Sequence, residues 1–506
     1  MTTISYKEYP EKPVVIDNLS VLFMKQSRFI PLNLAGNALR IAMADPDDFY
    51  TIDTLRLACN VDTVEACRGK EDDILEAIER LYGTGSQSME MIIEEAGKDT
   101  DEISADEVVD ADHLRDLASE APIIRLVNRL ILNAVEVGAS DIHFEPFENE
   151  FKVRYRIDGI LHEVESPPNR LKDAIISRVK IMAKMDIAER RLPRDGRIKL
   201  KVLDKEIDFR VSTLPTMFGE SLVMRILDRD ALILDLEKLG LPEDLLPQYI
   251  DLISKPYGMI LVTGPTGSGK TTTLYTTLAK INSPERKIVT LEEPVEYQMR
   301  GVNQIQVNTK IGMTFANGLR SIVRQDPDII LVGEIRDKET AETAIQSALT
   351  GHLLFSTLHT NDAAGAITRL LDIGVEHFLL SSTLLGILAQ RLVRVICPYC
   401  KKRVEPEEKL LRAMNLSPEE ISGIEFFEGQ GCERCNHTGF KGRIGIFEYL
   451  PIDDDVRKEI TARASTERIK NVAMEKGMLT LRQDGWNKVR RGITTISEVL
   501  RVTLEK

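Results

Sequence analysis

Long apolar runs are scarce in this chain. Stretches such as residues 259–262 and 384–388 stop far short of the roughly 20 residues that span a bilayer, so no membrane span is expected. Residues 1–13 lack a basic start followed by an apolar block, so no secretory signal is expected and the chain is predicted to be cytoplasmic. Basic charge is also in deficit: 66 lysines and arginines face 80 aspartates and glutamates, a net charge of −14. That balance opposes non-specific attraction to phosphate backbones and anionic lipid, although local basic patches are compatible with it. Cysteine is sparse, and six in 506 residues cannot build a secreted-type disulfide framework. Four of the six stand in two CxxC pairs, a pattern that points to metal in a reducing compartment. The sequence carries no internal repeat and no low-complexity tract.

What is present in quantity is length. A chain of 506 residues exceeds what one hydrophobic core organises, and three or four domains are expected. Residues 1–83 read as a small α/β domain whose last helix repeats Ile74, Leu75, Ile78 and Leu81 at helical spacing. Residues 84–118 are polar and acidic, with Glu94, Glu95, Asp99, Asp101 and Glu102 among them, and predict a flexible linker. Residues 119–235 open with a helix bearing Ile124, Val127, Leu130, Ile131 and Ala134 on one face. Alternating strands at 151–157 and 207–211 follow, so an α+β domain with an antiparallel sheet is expected. Residues 236–395 repeat apolar strand, glycine turn and helix, the pattern of a mostly parallel α/β sheet. Residues 396–449 hold the CxxC pairs, and residues 450–506 read as short helices.

The chemistry is concentrated in the α/β segment. Gly264, Pro265, Thr266, Gly267, Ser268, Gly269, Lys270, Thr271 and Thr272 form a GxxxxGK[ST] loop between an apolar strand and a helical run, the context that phosphate binding requires. Glycines let backbone N–H groups turn inward, the helix N-terminus adds a positive dipole end, and Lys270 brings a cation to the β- and γ-phosphates. Thr271 then offers its hydroxyl to Mg²⁺. Glu334 ends the apolar stretch 328–333, the position of a second magnesium-linked or water-positioning group. Between them, Glu292, Glu293 and Glu296 follow another apolar strand, and the sequence leaves open which of the three orients the attacking water. His359, after the apolar residues 353–355, reads equally as a γ-phosphate sensor and as a histidine satisfying a strand end.

The order P-loop, EEPVE, RQDPDIILVGEIRD, GHLLFSTLHT and paired CxxC resembles the assembly ATPases of type II secretion, within the type II and type IV secretion ATPase superfamily. Residues 138–146, 153–159 and 195–197 are similar to that family's second N-terminal domain. The resemblance implies a RecA-like P-loop domain preceded by a PAS-like α+β domain and a small N-terminal domain, with a zinc-binding insertion and a helical C-terminus. It also implies a homo-hexamer using ATP and Mg²⁺, with Glu296 activating water, Glu334 as the Walker B carboxylate, and Arg210 and Arg225 on the phosphates. Phe209 and Val211 flank Arg210, so the alternation puts it on the opposite strand face, and a surface salt bridge is the plain alternative for both arginines. The implied partners are the cytoplasmic domain of an inner-membrane platform protein, bound through residues 1–83, a polytopic platform protein and, indirectly, anionic lipid. Nucleic acid is not expected. Glu293 stands where relatives usually have Asp, Arg194 replaces a common Gln, and no Arg-Leu-Gly signature for cyclic diguanylate is evident.

Cys397, Cys400, Cys432 and Cys435 supply four thiolates, which close a tetrahedral zinc shell and leave no position open for chemistry. A redox pair is the alternative, and His437 is a minor candidate ligand. Cys59 and Cys67 read as small buried hydrophobes. Within the family, zinc favours assembly over pilus retraction, and the short N-terminal region favours type II secretion over type IV pilus assembly. A nucleic-acid motor is the distant alternative, disfavoured by the acidic charge.

Overall fold

The computed structural model describes residues 27–35, 38–46, 48–58, 61–82, 121–164, 166–203, 205–228, 235–414 and 416–504, with residues 4, 9, 10, 14, 16, 23, 24 and 118. Apart from Ala118, the predicted acidic linker lies outside the described residues, as does Cys59. The chain forms two compact units, the first drawn mainly from residues up to Ile226 and the second from Leu227–Lys506.

Near the N-terminus, β1 (Phe29–Ala35) pairs antiparallel with β2 (Ala38–Met43), and β2 pairs parallel with β3 (Thr63–Arg68). A parallel neighbour needs a crossover, which α1 (Phe49–Ala58) provides. Helix α2 (Glu71–Tyr82) follows and buries Ile74 and Ile78 in a core with Phe29, Leu39 and Ile41, which Cys67 joins as a buried apolar residue.

The second domain opens with α3 (Ala121–Glu136). Its buried face runs through Ile123, Leu126, Val127, Leu130, Ile131 and Ala134. Ile124, expected on that face, is only half-buried, because the i, i+3, i+4 stripe is centred one residue earlier. Six strands follow: β4 (Asp141–Pro146), β5 (Phe151–Ile157), β6 (Ile160–Glu163), β7 (Arg194–Val202), β8 (Lys205–Thr216) and β9 (Gly219–Asp228). They form one sheet in the order β6-β5-β4-β9-β8-β7, and β4 is antiparallel to both neighbours. Alternation in β5 buries Phe151, Val153 and Tyr155, and the Tyr155 hydroxyl donates to the Leu130 carbonyl at 2.7 Å. Helix α4 (Lys172–Met182) carries Lys180, whose ammonium is fully buried and donates to Glu220 (2.9 and 3.1 Å) and to the Glu189 carbonyl (2.8 Å).

The second unit contains α5 (Leu245–Ile253), β10 (Gly258–Thr263), α6 (Lys270–Ile281), β11 (Ile288–Glu292), β12 (Val302–Gln306), α7 (Phe315–Ile322), β13 (Ile329–Val332), α8 (Lys338–Leu349), β14 (Leu353–Leu358), α9 (Ala363–Ile373), α10 (His377–Thr383) and β15 (Leu384–Ile396). Beyond it come β16 (Lys401–Val404), α11 (Glu408–Met414), α12 (Pro418–Ile421), β17 (Phe426–Gly429), β18 (Phe440–Pro451) and four helices, α13 (Asp454–Thr461), α14 (Thr466–Glu475), α15 (Leu481–Arg490) and α16 (Ile496–Thr503). The central sheet runs β12-β11-β13-β14-β10-β15-β18, with every pair parallel except β15 and β18. Strands β10, β13 and β14 are buried at every position, as helices on both faces demand. Strand β18, which the sequence placed mainly with the cysteine segment, is the antiparallel edge of this sheet, because β15 is long enough to pair with it from Gly386 to Ile396. No described helix is long and apolar enough to cross a membrane.

The buried Lys180–Glu220 pair is a test of the second domain. Lys180→Met strands a buried carboxylate and is expected to cost about 3–5 kcal/mol. Adding Glu220→Leu is expected to recover part of that loss, as chemical denaturation would read.

Candidate functional site

The loop between β10 and α6 is shaped by two glycines. A Cβ on Gly264 would sit 2.5 Å from the Gln390 carbonyl, and one on Gly269 would sit 2.8 Å from the Gln390 amide; both residues have positive φ. The loop therefore lies against β15 only because these positions carry no side chain. Gly269 serves as N-cap of α6 without any side-chain cap, which leaves first-turn amides for a ligand. Lys270 folds back on the loop, donating to the Gly264 carbonyl at 2.7 Å and the Pro265 carbonyl at 3.1 Å. Burial lowers its pKa to about 8, a shift that nearby Glu334 only partly opposes. Ser268 Oγ is buried with no hydrogen-bond partner among the described residues, and Thr271 lies exposed in the first turn. An orphaned hydroxyl, a desolvated cation and an uncapped helix start fit a bound polyphosphate.

Parallel pairing of β13 with β14 brings Glu334 and His359 together at the carboxyl ends of their strands. His359 Nε2 lies 3.4 Å from Glu334 Oε2, and Arg336 pairs with the other oxygen. Glu334 is 15% exposed. Burial and then the Lys270 cation lower the pKa of His359, so it sits neutral at pH 7 and can donate or accept one hydrogen bond.

Geometry divides the three carboxylates that the sequence left equivalent. Glu292 is buried and accepts from the Tyr275 hydroxyl, the Thr290 hydroxyl (2.6 Å) and the Gln304 amide (3.3 Å). That network ties α6 to β11 and β12 and makes Glu292 structural. Glu293 is exposed and lies 3.5 Å from Arg336, while Glu296 is half-buried.

In the second domain, Arg225 pairs with Asp141 at 3.0 Å, the geometry of the salt-bridge alternative. Arg210 lies opposite the buried Phe209 and Val211 and is partly exposed, as the alternation requires. The sequence reading missed Gln390 and Arg391. The Gln390 carboxamide oxygen accepts from Thr273 at 2.7 Å, and Arg391 donates to the Asn361 carbonyl at 2.9 Å, two residues past His359. Their signal was a Gln-Arg pair inside a mainly apolar, buried strand, where polar groups have to be satisfied by other elements.

The four cysteines converge. Sγ separations are 3.9 Å for Cys397–Cys432, 3.8 Å for Cys400–Cys435 and 3.7 Å for Cys432–Cys435, and all four sulfurs lie within 4.8 Å of one another. A zinc–sulfur bond of about 2.3 Å gives a tetrahedron whose edge is about 3.8 Å, so the set fits Zn²⁺. A disulfide needs about 2.05 Å, and none is formed. His437 is exposed and stands outside the cluster.

Two measurements follow from these sites. Lys270 is expected to regain an ordinary, higher pKa beside a bound anion, so binding takes up a proton above pH 8. ADP affinity should stay flat below pH 8 and fall as pH rises above it, by up to about tenfold per unit; calorimetry in two buffers of different ionisation enthalpy reads the proton. The purified chain should carry about one zinc, and Cys432→Ser should lose most of it together with stability of the 396–440 region.

Comparison with known proteins gives a consistent picture. The family described as type II/IV secretion system protein matches residues 116–501, and the MshEN domain matches residues 1–88. Type II secretion system protein E of Xanthomonas campestris pv. campestris is 52% identical over 494 residues, 98% of this chain and 86% of that protein. The type IV pilus assembly ATPase PilB of Myxococcus xanthus is 46% identical over 501 residues, 98% of this chain and 88% of its own. Among solved structures, the pilus retraction motor PilT with bound ADP superposes with a TM-score of 0.51 at 28% identity, covering 74% of this chain and 96% of that one.

Proposed function

The chain belongs to the type II/IV secretion system protein family, and from that premise we propose that it is a magnesium-dependent ATP hydrolase driving pseudopilus assembly and protein export by type II secretion. In this reading it works as a hexameric ring, recruited from the cytoplasm to an inner-membrane platform through its N-terminal domain. The observation that carries the proposal is the glycine loop itself: a desolvated Lys270, an orphaned Ser268 hydroxyl and uncapped α6 amides, with Glu334 just past the end of β13, two strands away in the same sheet. The 46% identity to a pilus assembly ATPase keeps type IV pilus assembly as the second reading.

Mg²⁺ bound with ATP supplies charge neutralisation at the transferring phosphoryl group. The chain's own part is positioning. Lys270 would exchange the Gly264 and Pro265 carbonyls for phosphate oxygens, Ser268 would gain a partner, and Thr271 with Glu334 would hold the cation. Glu296 is assigned the attacking water: Glu292 is committed to Tyr275 and Thr290, Glu293 lies beside Arg336, and family resemblance selects Glu296. In this reading neutral His359, 3.4 Å from Glu334, senses the terminal phosphate. Arg210 and Arg225 are kept as phosphate ligands on family resemblance. The cysteine cluster holds structural zinc.

Lys270→Ala should abolish nucleotide binding in a folded chain, whereas Glu334→Ala should retain ATP and slow hydrolysis by at least about 10²-fold, a loss typical of removing one transition-state contact. Steady-state hydrolysis in the Glu334 variant at the wild-type rate would remove that residue from the mechanism. Specific activity of the wild-type chain should rise with protein concentration if the ring is the active form.

A further inference from the structure

We propose that Arg336 is a latch on these carboxylates: its guanidinium, paired with Glu334 and near Glu293, competes with a magnesium nucleotide for Glu334 and shifts onto Glu293 as the cation loads. The proposal rests on the ATPase reading above and names a control on the same site.

The turn that carries Arg336 is fixed. Gly333 donates its N–H to the Leu291 carbonyl at 2.8 Å, Ile335 donates to the Thr357 carbonyl at 3.1 Å, and the Thr357 hydroxyl donates to the Gly333 carbonyl at 2.6 Å. Asp337 then caps α8 by accepting from Thr340 N–H at 2.8 Å. Backbone bonds therefore hold both sides of residue 336, while its side chain is 63% exposed and free to swing. The guanidinium pairs with Glu334 through one nitrogen and reaches Glu293 at 3.5 Å through the other.

Both oxygens of Glu334 are thus engaged, one by Arg336 and one by His359. Lys270 is the other cation near this carboxylate. A divalent cation competes with the guanidinium for Glu334, because the two positive charges repel each other across one carboxylate. Glu293, exposed on the acidic loop, gives the displaced arginine a second anchor and so makes release easier. The latch links the Walker B turn to the loop that carries Glu296, and metal entry changes the partner of a residue joining them. Arg336 acts here as a positioning residue.

The two anchors give the test opposite signs. With the full chain and a fluorescent ADP analogue, the half-saturating Mg²⁺ concentration for nucleotide binding is measured. Arg336→Gln should lower it by about two- to fivefold, the worth of a partly exposed ion pair. Glu293→Gln should raise it, because Arg336 then rests on Glu334 alone, and Arg336→Lys should stay close to wild type. An unchanged or higher value in Arg336→Gln, or a shift of both variants in the same direction, overturns the latch while leaving the ATPase reading intact. No binding of ADP by the wild-type chain, with or without Mg²⁺, overturns the ATPase reading and the latch with it.

Discussion

The P-loop keeps its shape because β15 lies directly beneath it. Gln390 presents its backbone carbonyl to Gly264, its carboxamide nitrogen to Gly269 and its carboxamide oxygen to Thr273, so one buried residue lies against the start of the loop, its end and the helix that follows. Everything in the site depends on that contact. It orients α6, which directs unbonded amides toward the ligand position, and it keeps Lys270 in surroundings poor enough in water to depress its pKa. The neighbouring Arg391 extends the same support to the segment carrying His359, through Asn361. A buried polar pair of this kind is costly unless it is satisfied, and here its partners lie in α6 and in the segment after β14.

The four-cysteine cluster sits where β15 and β18 part. Ile396 pairs with Phe440, and the next residue, Cys397, donates its N–H to the Gly439 carbonyl at 2.9 Å. The metal would therefore close the excursion that contains β16 and β17 at its base, much as a cross-link does. The small sheet of β16 and β17 has only four residues in each strand, too few to be stable unaided. A staple at that point would hold the register of β15, the strand that also lies against the P-loop.

The acidic groups around the nucleotide position hold different tasks because their surroundings differ. Glu292 is buried among hydroxyl and amide donors and joins elements together. Glu334 is mostly buried, with a cation on one oxygen and a neutral imidazole on the other, which poises it for exchange. Glu293 is solvent-facing and reaches an arginine at a distance that solvent weakens. Three carboxylates of one chemical type thus differ in burial and partners: Glu292 among hydroxyl and amide donors, Glu334 between a guanidinium and an imidazole, and Glu293 facing solvent.

Much was legible before any coordinates. The GxxxxGK[ST] loop, the two CxxC pairs, the alternation that set Arg210 opposite Phe209 and Val211, and the apolar strands of the α/β segment depend on local periodicity and spacing, which sequence displays directly. The phase of α3 was read one residue off at Ile124, since an amphipathic stripe is about 100° wide and its edges are ambiguous. Long-range pairing decided the rest. Gln390 lies more than a hundred residues from the loop it supports and Arg391 30 residues from Asn361, and the attachment of β18 to the central sheet follows from the length of β15 rather than from any motif. The split among Glu292, Glu293 and Glu296 was equally hidden, because burial and hydrogen-bond partners, which separate identical side chains, are properties of the packed chain. Sequence by itself determined which chemistry is present and in what order; tertiary structure decided which of several like residues has the surroundings to perform it.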